Sequence, residues 1–313
     1  MNTEPFANAC LMDLKKIWDR APHNAMTDLV RFRNRWFCVF REGENHMSPD
    51  GKIRILVSEE GVRWDPAALL EIPNLDLRDP KLSITPTGSL MLNSGAAFQA
   101  PENQKHQSFV WFSENGIQWS SPQKVGHPDN WLWRVTWHNN VAYAIGYNTV
   151  DPLCVRLYSS NDGVRFNLAV DPLFSEDFPN EATAVFLNDE TALCLLRRDA
   201  GNATAMLGSS KPPYTEWSWK DLGLRIGGPN MRILPDGRIV AVIRRYGQTP
   251  WTSLSILDPI KPALTEFLTL PSGGDTSYAG ICWHEEVLWI SYYSSHEQKT
   301  SIYLAKVKIP QLS

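Results

Sequence analysis

No stretch of the 313-residue chain approaches eighteen consecutive apolar residues, so the sequence offers no helix long enough to cross a membrane, and no membrane partner is expected. Residues 1–20 show no basic segment followed by an apolar one, the mark of a secretory signal. The compartment stays open: cytoplasmic, or secreted or periplasmic if a signal had been removed. A basic excess is also missing. The net charge is −4, which speaks against a nucleic-acid partner, because phosphate-binding surfaces need clustered lysine and arginine. Cysteine is scarce and odd in number, with no CxxC pair among Cys10, Cys38, Cys154, Cys194 and Cys282. This excludes a disulfide framework and a zinc-finger spacing, and three of the five (Cys38, Cys194, Cys282) sit in apolar runs as small buried hydrophobes. No His/Asp/Glu motif has metal-ligand spacing, so neither a metal nor another cofactor is expected. Helical periodicity is hardly found anywhere. What remains is a chain with 43% hydrophobic residues and thirteen tryptophans, cut into short β-rich runs by turns.

The runs repeat. "SEEGVRW" from Ser58, "SENGIQW" from Ser113 and "SNDGVRF" from Ser160 share the pattern Ser-x-x-Gly-x-x-aromatic, spaced by 55 and 47 residues. The pattern describes a hairpin turn: serine caps it, glycine takes the positive-φ position, and the aromatic folds back between sheets. "SSKPPYTEWSW" from Ser209 is a worn fourth copy. A second series lies out of phase with the first, in which six short strands open on a polar residue. They start at Asp28, Asp79, Arg134, Glu181, Asn230 and Tyr278, with separations of 51, 55, 47, 49 and 48. Each is followed by a turn and another apolar strand.

Two inner strands, a third ending in the serine-glycine turn and a fourth make up one propeller blade. Six units predict an all-β, six-bladed β-propeller over residues 1–313 as a single domain. The last blade has only three strands, so "LMDLKKIW" near the N-terminus is expected to supply its fourth and close the ring. Innermost strands of a propeller surround one channel, so residues some fifty apart in sequence converge there. The openings of the first strands contribute Asp28, Arg78, Asp79, Arg134, Glu181, Asn230 and Tyr278. The ends of the second strands contribute Arg41, Glu42, Arg197, Arg198, Arg244, Arg245, Tyr292 and Tyr293. A funnel so rich in arginine, carboxylate and tyrosine is suited to an anionic small molecule or glycan carrying a carboxylate.

These residues resemble those of the sialidase superfamily, and the turns resemble a shortened form of its Asp-box repeats. The match runs in chain order over about the last 140 residues: a glutamate opening blade four (Glu181), an arginine after the next strand (Arg197 or Arg198), an arginine from blade five (Arg244 or Arg245), and a tyrosine opening blade six (Tyr278 in "DTSYAG"). The resemblance implies an exo-acting glycosidase in which Tyr278 is the nucleophile, Glu181 its base and the arginines a carboxylate clamp. Tyrosine suits a sugar whose anomeric carbon carries a carboxylate, since it stays neutral until a neighbouring base takes its proton. Arginine holds a carboxylate through two parallel hydrogen bonds, which lysine cannot do.

The chain also departs from that family. The arginine expected before blade one is absent from "MTDLVRF", leaving Arg41 or Arg78 as stand-ins. The loop "REGENHMSPDGK" offers Glu42, Glu44, His46 and Asp50 where an acid aspartate is expected, and Asp50 lies in a plain "PDG" turn. "RDPKL" resembles strand starts of five-bladed furanosidases, which makes Asp79 a further acid/base candidate. The substrate implied is therefore a terminal acidic sugar not restricted to sialic acid, such as another ulosonic acid or a uronate.

Other readings compete. A polysaccharide lyase acting on uronates would use the same arginines, and a non-catalytic glycan-binding propeller would keep the clamp without turnover. Asp28 and Asp79 serve equally as acceptors for backbone N–H groups, and Arg78 as a partner of Asp76 or Asp79. Arg134, between two tryptophans, suits aromatic stacking. His138 and His284 occupy matching positions in two blades and read as structural, whereas His46 and His296 sit in polar loops without a counterpart.

Overall fold

The computed structural model describes residues 8–99 and 103–310. Among them it contains twenty-four strands and no helix, in six four-stranded antiparallel sheets. Five sheets take four consecutive strands in chain order. The sixth runs Thr276–His284, Val287–Ser294, Ser301–Lys308 and then Cys10–Trp18. The N-terminal strand is thus the outer strand of blade six, paired from Cys10 opposite Lys308 to Trp18 opposite Ile302. The six-bladed propeller and its closure are as the repeats predict.

The innermost strands are His23–Phe32, Leu75–Ile84, Asn130–His138, Pro179–Phe186, Ile226–Ile233 and Thr276–His284, each packed against the next around the channel. Second strands such as Ile239–Arg245 read as continuous apolar runs because blades cover both their faces. The core therefore lies between blades: Val240 and Val242 of blade five meet Leu288 and Ile290 of blade six, all fully buried.

The repeated turn is an inter-blade latch. In each copy the serine Oγ accepts the glycine N–H, at 2.8 Å for Ser58 and Gly61, 2.8 Å for Ser113 and Gly116, and 2.9 Å for Ser160 and Gly163. The glycines have φ of 72°, 74° and 73°, a region that penalises any Cβ. Each also presses on the preceding blade: a Cβ on Gly61 would lie 2.4 Å from the ring of Trp289, and one on Gly116 2.2 Å from Phe37. In the worn fourth copy Ser210 takes the capping role, bonding to Glu216 O at 2.6 Å, while Tyr214 replaces the glycine at φ 65°.

Every innermost strand carries a β-bulge near its start. The ladder skips Met26 and Thr27 in blade one, Asp79 and Pro80 in blade two, and Trp133 in blade three. It skips Asn180 and Glu181 in blade four, Gly228 and Pro229 in blade five, and Tyr278 and Ala279 in blade six. Met26, Asp79 and Tyr278 sit at φ of 63°, 52° and 49°, unusual for residues with a side chain. Bulges aim a side chain away from the ladder, and here six of them do so around one ring.

Candidate functional site

Met26, Asp79, Glu181 and Tyr278, one bulge residue from each of four blades, line a cavity of about 270 Å³ with His46, Arg78 and Tyr147 on its walls. Glu181 and Tyr278 are the tightest pair in it. The phenol of Tyr278 donates to Glu181 Oε1 at 2.6 Å, and Arg197 Nη1 lies 2.8 Å from the same oxygen and 3.0 Å from the phenol oxygen. The other carboxylate oxygen accepts the N–H of Gly228 at 2.7 Å. Burial pushes the Tyr278 phenol well above its ordinary range, with the charge of Glu181 acting in the same direction and Arg197 and Arg244 against it. At neutral pH the tyrosine is a neutral donor, already aimed at a base.

Asp79 faces this pair from blade two. Burial raises its carboxyl to about 6, opposed by the charge of Lys81 and assisted by Glu181, and its Oδ1 is buried without a hydrogen-bond partner among the described residues. Lys81 is itself buried, with its pKa brought down to about 8, chiefly by desolvation. Its Nζ has no hydrogen-bond partner among the described residues and sits 5.0 Å above the ring of Trp133.

The sequence left each arginine pair ambiguous, and the pleat resolves it. Arg197 turns to the channel, bonded to Glu181, Tyr278 and Asp199. Its neighbour Arg198 turns outward to Asp177, Asp221 and the carbonyl of Thr204. Arg244 reaches Thr276 O, Asp275 Oδ1 and the hydroxyl of Tyr293 at 2.8–3.0 Å, and its Cζ is 4.9 Å from the ring centroid of Tyr278. Arg245 lies over Trp251 in the next strand instead.

Arg78 is on the pocket wall with its Nε on Asp76 Oδ2 at 2.6 Å. Arg41 is outside the pocket: fully buried, it bonds Asp76 Oδ1 at 3.0 Å, Asn45 O at 2.7 Å and Ser48 O at 3.1 Å. It therefore anchors the loop that carries His46. Arg134 and Asp28 lie past the bulges, where they form a two-point ion pair at 2.8 and 3.2 Å in a separate cavity of about 600 Å³ farther along the channel. Asp28 also accepts the N–H of Leu82 from the next blade at 2.7 Å, and Asn230 donates to Ala279 O at 2.8 Å, so both also stitch innermost strands together.

Among the candidates from the blade-one loop, Glu42 is held by Trp18 and Arg54, and Asp50 caps the backbone of Glu44. His46 does reach the pocket wall, where its Nδ1 is 2.7 Å from Asp275 Oδ2. His138 is stacked on Phe186 at 4.2 Å, consistent with packing, and His284 packs edge-on against Trp36. His296 sits against Tyr303 and Ser294.

Among the contributors that sequence reasoning missed are Met26, Lys81, Tyr147, Asp199 and Asp275. Lys81 was hidden in a run that reads as an ordinary strand, and Asp275 in a glycine-rich loop. Only the near-invariant spacing to Tyr278 and Asp79 could have pointed to Met26 as the blade-one ring position.

No family model matches this chain, and no curated protein does. Solved structures do. A protein of unknown function from Dyadobacter fermentans superposes with a TM-score of 0.84 at 18% identity, covering 96% of this chain and 99% of that one. An α-L-arabinofuranosidase from Fusarium graminearum gives 0.73 at 12% identity over 95% and 98%. The Trypanosoma rangeli sialidase gives 0.71 at 9% identity, over 91% of this chain but only 55% of that one. The fold is the six-bladed propeller found in sialidases and in arabinofuranosidases.

Proposed function

We propose that this protein is a retaining, exo-acting glycoside hydrolase in which Tyr278 is the nucleophile, Glu181 its general base and Asp79 the acid/base. The observation that carries this reading is the buried 2.6 Å hydrogen bond from the Tyr278 phenol to Glu181. In the first step the phenol proton moves to Glu181 and the phenol oxygen bonds to the anomeric carbon. The glycosidic C–O bond breaks, and its oxygen takes the proton of Asp79. In the second step Asp79, now ionised, accepts a proton from water as that water releases the sugar from Tyr278, and Glu181 returns the phenol proton. A carboxyl near 6 is suited to both tasks, because it is populated in each form close to neutrality.

The substrate proposed is a terminal sugar bearing a carboxylate. Arg78 meets Asp76 through Nε and Nη2, and Arg244 meets Thr276, Asp275 and Tyr293 through Nε and Nη2, so in each guanidinium Nη1 is the nitrogen available to a substrate carboxylate. A second reading is favoured by charge balance: Arg197 is already engaged by Glu181, Tyr278 and Asp199, which leaves a pocket equally suited to a neutral sugar. Wild type and the Tyr278→Phe variant, assayed on paired aryl glycosides of acidic and neutral sugars, test both. Release from the acidic series that is lost in the variant supports the first reading, and release from the neutral series alone supports the second. Saturable binding of the sugars without release by wild type would leave a glycan-binding propeller.

A further inference from the structure

Blade one supplies two histidines, His46 on the pocket wall and His23 beside it, and the loop before the innermost strand of blade six places an aspartate between them. His23 Nε2 is 3.2 Å and His46 Nδ1 is 2.7 Å from Asp275 Oδ2, and the rings meet edge to face at 5.4 Å. The three atoms all lie within 4.8 Å of one another. We propose that His23, His46 and Asp275 form a binding site for a divalent transition-metal ion, zinc being the best fit.

The donor set is the first reason. Two imidazole nitrogens and one carboxylate oxygen are ligands for first-row divalent ions, with open positions left for water or substrate. Spacing is the second. Ligand atoms on one tetrahedral zinc sit about 3.3 Å apart, given bonds near 2.0–2.1 Å, so small side-chain rotations take the present separations to coordination distance. Orientation is the third. Asp275 Oδ1 is fixed by Tyr293 at 2.7 Å and Arg244 at 3.0 Å, which leaves Oδ2 directed at the histidines, the kind of outer support that metal-binding carboxylates receive. Hydrogen bonds alone do not complete the arrangement: His23 Nδ1 is buried and unpartnered among the described residues, so the protein satisfies neither tautomer of that ring in full.

His46 is partly exposed and lines the same pocket as Tyr278, so an ion held here would lie beside that pocket. A cation here would bring charge to the blade-one side, where the ring residue is the uncharged Met26. The site stands apart from the reaction proposed above, since metal binding needs no substrate.

The test is calorimetric titration of chelator-treated protein with zinc chloride, together with the visible spectrum of the cobalt-loaded protein. One equivalent should bind, with cobalt bands of a low-coordinate nitrogen/oxygen site. His46→Ala and His23→Gln should each weaken binding at least about tenfold, while His106→Ala, a pocket histidine outside the cluster, should leave it unchanged. His46 is the decisive position, because its exposed ring can be removed without opening the core. Absence of stoichiometric binding at micromolar zinc, or binding undiminished in His46→Ala and His23→Gln, would overturn the proposal.

Discussion

The phenol of Tyr278 donates to the Glu181 carboxylate at 2.6 Å, although the two residues stand in blades six and four and 97 positions apart in sequence. Arg197 closes the triangle on the same carboxylate oxygen at 2.8 Å. A buried tyrosine with a raised pKa is a poor nucleophile alone. Hydrogen-bonded to a carboxylate, it has a route for its proton.

Tyr278→Phe and Glu181→Gln should therefore each reduce glycoside cleavage by about 10²–10⁴-fold while leaving sugar binding within a few-fold. Steady-state release of the aryl leaving group, measured beside equilibrium binding, checks this. Equal activity in either variant would remove the residue from the mechanism. A glycosyl adduct on Tyr278, trapped with a slowly turning over fluorosugar and located by mass spectrometry, would place the bond directly.

Asp79 gives a prediction that couples activity to stability. Its carboxyl titrates near 6 in the folded protein against 3.8 as an ordinary aspartate, so the folded state holds more protons between those values. Stability contributed by the protonated carboxyl is therefore lost as pH rises from about 4 to 6, and the cost above that window is of order 3 kcal/mol. Asp79→Asn should abolish cleavage yet be about 1–3 kcal/mol more stable than wild type at pH 7.5, with the gain vanishing near pH 4. Lys81 loses its partner in that variant, which reduces the gain. Urea denaturation at the two pH values reads both limbs.

How much of this could be read in advance follows from where the information sits. Blade number and ring closure follow from spacing alone, because a propeller converts a fifty-residue repeat into spatial adjacency. Spacing also brings Glu181 and Tyr278 to one channel, but their pairing is an implication of the sialidase resemblance. The choice between Arg197 and Arg198 follows from neither, although the two-residue strand period sends them to opposite faces once one neighbour is fixed. Asp28, Arg134 and Asn230 sat at the apparent strand openings but lie past the bulges. The ring positions are set by a backbone irregularity that leaves no consistent residue type behind: methionine, aspartate, tryptophan, glutamate, glycine and tyrosine occupy it in turn. His23, His46 and Asp275 are brought together only by closure of the ring.

Lys81 bears on Asp79 through space. Its ammonium is buried, lacks a hydrogen-bond acceptor among the described residues, and lowers the Asp79 pKa. Lys81→Met should let the Asp79 carboxyl rise above 6 and carry the alkaline limb of kcat/KM upward by about one pH unit. The change leaves the ionised Asp79 carboxyl without its nearby cation, so thermal stability should fall above about pH 6 and change little below about pH 4. A profile that does not move would separate Lys81 from the acid/base group.

The latch turns predict a purely structural effect. Gly116 has φ 74° and would place a Cβ 2.2 Å from Phe37 in the preceding blade. Gly116→Ala should cost about 1–3 kcal/mol by combining backbone strain with overpacking. Denaturant midpoints should fall while kcat on whatever substrate is identified stays near wild type, because the turn is remote from the channel.

Gly228 should behave in the opposite way. It stands at the blade-five ring position with φ 54°, its N–H holds Glu181 Oε2, and a Cβ there would lie 2.7 Å from Tyr278 Cδ2. Alanine at this point must displace either the tyrosine ring or the backbone that orients the glutamate. Both changes lengthen the hydrogen bond between nucleophile and base, and a misplacement near 1 Å costs on the order of 10²-fold in rate. Gly228→Ala is therefore expected to lose kcat by about that factor, with substrate affinity largely kept. The control is Gly237→Ala, whose glycine has a positive φ of 86° but no atom within 4 Å of a built Cβ. It should show the backbone penalty in stability and none in kcat. If both variants lost activity alike, the backbone conformation rather than the contact with Tyr278 would be responsible, and the ring of bulges would lose its assigned role in aligning the pair.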